Sequence, residues 1–158
     1  ADVRVASQPG ALGDGDGLAS SQPGLWLAIR TADCVPVLLA HPGLRVVAAV
    51  HAGWRGAAQE SVSEAVNRMA AQWGCPPGEL LSAAGPAIGP CCYEVGEEVA
   101  GRFPAHRLER LPRPFLDLPS AIAAQLRSAG LRPERIDLLS TCTFCNPDDS
   151  ILFAGTAA

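Results

Sequence analysis

Lysine is absent from the 158 residues, so all twelve basic side chains are arginine. No ε-amine is available for a Schiff base, which removes one whole branch of covalent catalysis. The arginines are spread along the chain without a run, and the net charge is −4. A nucleic-acid groove needs a concentrated basic face, so that partner is not expected. Long apolar runs are also missing. The longest fall far short of the roughly 20 residues that span a bilayer, and no charged-then-apolar leader precedes them. This reading predicts a soluble, cytoplasmic protein with no membrane partner. Six cysteines are too few and too irregularly spaced for a small disulfide scaffold, so reduced thiols are expected. Three histidines are too few for a multicopper cluster.

The first twenty-four residues are rich in Gly, Ser, Asp and Pro, and Gly13-Asp14-Gly15-Asp16-Gly17 reads as a turn flanking or connecting a strand. It lacks the GxGxxG spacing of a dinucleotide fingerprint. Leu25, Leu27 and Ile29 alternate with Trp26 and Ala28 as in a strand; Val35 to Ala40 and Val46 to Val50 are continuous apolar runs typical of buried strands. From Ala57 to Trp73 the period becomes helical, with Val62, Val66, Met69 and Trp73 on one stripe and Gly74 as the stop. Leu80 to Ala84 and Ile136 to Thr141 are further strands; Val95 to Phe103 and Leu118 to Leu126 are further helices. The pattern predicts an α+β fold: a mixed β-sheet core flanked by helices, in one domain over residues 1–158.

Two short segments concentrate polar chemistry at the ends of neighbouring strands: Thr31-Ala32-Asp33-Cys34-Val35-Pro36 and His51-Ala52-Gly53-Trp54-Arg55-Gly56. A thiol and an imidazole placed this way can share one metal ion or act as nucleophile and base. Asp33 adds a carboxylate beside the thiol. Trp54 offers a flat stacking surface and Arg55 a planar donor fork for phosphate or carboxylate. Gly56 is expected to open a helix whose amides favour an anion. Tyr93 and Glu94 follow the rigid loop Gly85-Pro86-Ala87-Ile88-Gly89-Pro90 and are candidates for display into a cleft, or for a cap and a packing contact.

For Cys91-Cys92 simple packing is the preferred reading. Cys142-Thr143-Phe144-Cys145 has the CxxC spacing of zinc or redox sites, but a zinc ribbon needs a second such pair and Cys91-Cys92 has no spacer. Neither a four-thiolate site nor a redox pair is expected. Asn146-Pro147-Asp148-Asp149 signals a turn. His41, before Pro42-Gly43, and His106, among Arg and Pro, read as solvated surface histidines.

Taken together, TADCVPVLL, HAGWRG, GPAIGPCCYEVGEEV and the late Cys-Thr step resemble the YfiH-type family from Asp16 to Thr143. That family was once called multicopper polyphenol oxidase or laccase-domain proteins and is now associated with purine nucleoside phosphorylase and adenosine deaminase activity. The resemblance implies one zinc, or copper by older accounts, held by Cys34, His51 and a third His from an upstream QVHG-like motif. It implies purine nucleosides (adenosine, inosine, guanosine, methylthioadenosine) and phosphate as substrates, and a monomer or dimer. Asp33, Cys34, His51 and Arg55 would be catalytic, and Trp54, Tyr93 and Glu94 would contact substrate. No counterpart of QVHG occurs here, neither His41 nor His106 lies in matching context, and Asp149-Ser150-Ile151-Leu152-Phe153 stands where the family has an Arg-rich FSYRRDG-like segment. These departures predict that part of the family's site lies outside this sequence. A metal-free Cys/His hydrolase and a copper-dependent phenol oxidase are the competing readings.

Overall fold

The structure, a computed structural model, describes residues 1–146 and the backbone of a strand at 154–156. Six strands form the main sheet: β1 (Val3–Val5), β2 (Gly17–Ser20), β4 (Val35–His41), β5 (Val46–Ala52), β6 (Leu81–Ala84) and β9 (Ile136–Leu138). Their order is β1-β2-β5-β4-β6-β9, with β1–β2 and β6–β9 parallel and the other pairs antiparallel. Two antiparallel ribbons stand apart: β3 (Trp26–Ala28) with β10 (Ala154–Thr156), and β7 (Arg107–Leu108) with β8 (Phe115–Leu116). Four α-helices, α1 (Trp54–Ala58), α2 (Ser61–Trp73), α3 (Glu97–Ala100) and α4 (Leu118–Ser128), and two short 3-10 turns, Pro77–Glu79 and Pro133–Arg135, complete the described elements. The expected mixed sheet flanked by helices is the observed fold.

The register of β4 against β5 fixes which side chains meet. Val35, Val37 and Leu39 face Ala52, Val50 and Ala48 across the ladder, and this side of the pleat is the main core. The helical stripe of α2 (Val62, Val66, Met69) and that of α4 (Ile122, Leu126) close over it, all fully buried. Each such side chain contributes about 1.5–3 kcal/mol by leaving water. The intervening residues point to the opposite side, where Ala49 packs with Leu27 of β3 beside Leu18, Leu38 and Val47. Pro36 and His51 are partners on that second side.

Several expectations change at element ends. The stretch from Ala57 to Trp73 is two helices, because Glu60 takes a left-handed φ of 57° and ends the first. Helix α1 already begins at Trp54 with Gly53 as its N-cap, so Gly56 is an interior, buried position and opens nothing. With five residues α1 is too short to support the anion site expected there. The Gly/Asp-rich N-terminal stretch contains β1 and β2, with Gly13 to Gly17 joining them. The last expected strand stops at Leu138, and the helix expected from Val95 to Phe103 is the single turn α3. His41 is not a solvated histidine. It is the last residue of β4, 6% exposed; its Nδ1 accepts from the Leu44 N–H at 3.1 Å and its Nε2 lies 3.2 Å from the Glu79 carboxylate. His106 is half-buried. The expected turn at Asn146-Pro147-Asp148-Asp149, Asn146 apart, and the departure at Asp149 to Phe153 lie outside the described residues.

Candidate functional site

Cys34 immediately precedes β4 and, continuing the β4–β5 register by one step, stands opposite Gly53. His51 lies two residues before Gly53, so thiol and imidazole are diagonal neighbours on one side of the pleat. Gly53 leaves a notch between them: a Cβ there would sit 3.0 Å from Cys34 Sγ and 3.6 Å from His51 Cε1. Both side chains are half-buried. Burial, and secondarily the adjacent Asp33 carboxylate, pushes the Cys34 thiol above its ordinary range.

Asp33 holds a left-handed φ of 69°, uncommon for a non-glycine residue although aspartate enters it more readily than most. Two contacts hold the residue in place. The Thr143 hydroxyl donates to Asp33 Oδ1 at 2.6 Å, and the Ile88 N–H donates to the Asp33 carbonyl at 2.8 Å. Arg55, exposed on α1, lies with its guanidinium 4.4 Å from the centroid of Trp54. Tyr93 is half-buried beside the core; burial and then the Cys34 thiol push its phenol up, while Arg55 pulls it back. Glu94 is exposed and lies 3.7 Å from Arg113.

His51 also lines a cavity of about 340 Å³ whose walls include Arg4, Leu12, Leu18, Ile29 and Arg30. Arg4 is occupied by Asp2 and the Leu12 carbonyl, whereas Arg30 is exposed. Neither arginine carries a sequence signal, because each becomes relevant only when β1, paired to β5 through β2, and the segment after β3 come together beside His51. A larger cavity, about 610 Å³, lies over β4, β6 and β9 and is mostly apolar. The chemistry favours the smaller one, where an imidazole and two guanidinium groups converge.

The cysteines expected to pack separately do not. The Sγ atoms of Cys91, Cys92, Cys142 and Cys145 all lie within 4.8 Å of one another, close enough to hold a metal ion. The Gly89 N–H donates to Cys142 Sγ at 3.2 Å. Burial alone would raise the Cys142 thiol, but this bond and the backbone N–H groups near Cys145 and Phe144 bring it down to about 6. Cys92 goes the other way, pushed up first by its hydrogen bond with Cys145. The thiol pairs are more than fifty positions apart in sequence, beyond the reach of a local spacing rule.

Residues 1–152 match the family described as multi-copper polyphenol oxidoreductase laccase. The chain belongs to that family. It is 42% identical over 136 residues to "Purine nucleoside phosphorylase" of Deinococcus radiodurans, covering 80% of this chain and 52% of the relative. It is 34% identical over 144 residues to human "Purine nucleoside phosphorylase LACC1", covering 84% of this chain and 33% of that protein. The crystal structure of YlmD from Geobacillus stearothermophilus superimposes with a TM-score of 0.83 at 30% identity, covering 93% of this chain and 62% of that one. The laccase-family chain thus spans a third of the human relative and about half of the Deinococcus one. No helix among its described residues is long and apolar enough to cross a membrane.

A thiolate and an imidazole are the donor types that zinc and copper both take. Because Gly53 has no side chain, the space beside the thiol and the ring is left open, and Cys34 and His51 would fit two ligand positions of such an ion. His41 cannot be a third. It sits at the far end of β4, roughly 20 Å from Cys34 at strand rise, and is engaged by Leu44 and Glu79.

Proposed function

We propose that this laccase-family chain carries the site of a zinc-dependent purine nucleoside phosphorylase, with Cys34 and His51 as two of the zinc ligands. The observation that carries the reading is the convergence of the Cys34 thiol and the His51 ring on the notch at Gly53. The names of the relatives support a nucleoside-processing enzyme. A zinc held by these two residues would supply Lewis-acid polarisation.

In phosphorolysis a phosphate oxygen bonds to the ribose anomeric carbon while the bond to the purine nitrogen breaks. The electron pair leaves with the purine, which takes up a proton. Arg55 binds the phosphate through its planar fork, and Trp54 offers an apolar face to the base. Asp33, fixed by Thr143 and Ile88, accepts from a ribose hydroxyl or moves the proton. Tyr93 borders the thiol, and Glu94 serves as a second ribose contact once Arg113 releases it. Arg30 adds a cation to the cavity beside His51. Adenosine deamination, with water replacing the exocyclic amine, is assigned to the same site.

The test is a product screen of the full-length protein with adenosine, inosine, guanosine and methylthioadenosine, with and without phosphate. Free base and ribose 1-phosphate should appear only with phosphate, and inosine should form from adenosine without it. Metal analysis decides between zinc and copper. Absence of turnover on all four nucleosides contradicts the assignment.

A further inference from the structure

The four-cysteine cluster belongs to neither the Cys34–His51 notch nor the cavity beside it. Cys145 Sγ lies 3.6 Å from Cys91 Sγ and 3.1 Å from Cys92 Sγ, and no pair of the four exceeds 4.8 Å. Four thiolates at about 2.3 Å from one zinc stand about 3.8 Å from each other, the edge of a regular tetrahedron. The space enclosed is therefore that of one ion; an iron–sulfur cluster needs its ligands further apart.

The backbone around the sulfurs is shaped for this. Cys142 bridges to Ala87, and the Thr143 N–H donates to the Ala87 carbonyl at 3.1 Å, so the segment after β9 is laid against the Gly/Pro loop. Gly89 approaches both segments of the cluster: a Cβ there would lie 3.3 Å from Cys91 Sγ and 3.5 Å from Cys142 Sγ. Its N–H bond to Cys142 Sγ is the kind of outer contact that orients a thiolate ligand. Arg110 donates to the Cys91 carbonyl at 3.4 Å, putting a positive charge next to a group of four anionic ligands.

We infer that Cys91, Cys92, Cys142 and Cys145 hold a structural zinc ion, a second metal site distinct from Cys34 and His51. Four protein ligands leave no open position, so the ion braces and does not react. On binding, four sulfur–zinc bonds form and the thiol protons go to solvent; no oxidant is required. The two segments it joins are those that hold Asp33, one through Ile88 and the other through Thr143. The zinc thus fixes the distance between the two hydrogen bonds that hold Asp33.

The experiment loads cobalt in place of zinc into full-length protein carrying Cys34→Ala, which disables the first site. One cobalt per chain is expected, with the visible bands of tetrahedral cobalt and strong sulfur-to-cobalt charge transfer. Cys145→Ser in that background should release the ion to a chelator that the parent resists. Cys145→His, which keeps four donors, should retain the ion with a shifted spectrum. Since Cys145 is exposed, neither change disturbs the core. A missing sulfur charge-transfer band, a spectrum unmoved by Cys145→Ser, iron as the native ion, or a metal-free disulfide in the purified protein overturns the inference. None of these readouts depends on nucleoside turnover, so this site and the phosphorylase reading stand or fall separately.

Discussion

Thr143 and Asp33 are 110 positions apart in sequence, yet the threonine hydroxyl donates a 2.6 Å hydrogen bond to the aspartate carboxylate. The bond joins the segment after β9 to the residue preceding Cys34. A hydrogen bond to a charged group is among the stronger ones. Thr143→Val should therefore lower kcat/KM on nucleosides about tenfold or more while leaving zinc content unchanged. Thr143→Ser should restore most of the rate. Equal rates in the Val and Ser variants would remove Asp33 orientation from the account.

Gly53 has φ −77° and ψ 173°, extended backbone that alanine adopts without strain. Its Cβ would nevertheless meet Cys34 Sγ at 3.0 Å, so the thiol must move. Gly53→Ala should fold with a loss of at most about 1 kcal/mol and still lose the zinc associated with Cys34. Thermal melting and metal analysis on the same sample read both effects.

For Arg55, replacement by lysine keeps the charge and loses the fork and the stacking on Trp54. The expected outcome is a raised KM for phosphate with a smaller change in KM for inosine. An unchanged phosphate dependence moves the anion site to Arg30 beside His51.

Stability should rest on the α2–α4 layer. Met69 is fully buried between α2 and the sheet, and Met69→Ala should cost about 2–5 kcal/mol in urea unfolding. Asp117 caps α4 by accepting from the Ser120 N–H at 3.0 Å, and Asp117→Ala should cost about 1 kcal/mol.

Local pattern made β4, β5, α2 and α4 legible because each buries one face and repeats long enough to show its period. It missed β1 and β2, three and four residues long, because the glycines and aspartates between them mark turns whether or not the flanking chain pairs. The break at Glu60 was hidden too, since its left-handed turn is made without a glycine to signal it. His41 was misread because Pro42-Gly43 signals a surface turn, while the imidazole folds back to receive the Leu44 N–H. That Cys34 and His51 would be neighbours was readable from strand ends alone. The thiols of Cys91 and Cys92 were not, because a vicinal pair meets Cys142 and Cys145 only through the bridge between Ala87 and Cys142.

The most direct measurement is zinc per chain together with phosphate-dependent inosine cleavage in full-length wild type, Cys34→Ala and His51→Ala. Each substitution should remove one zinc and abolish cleavage, leaving the zinc of the four-cysteine site in place. Full zinc content and undiminished cleavage in both variants would contradict the claim that Cys34 and His51 share a metal.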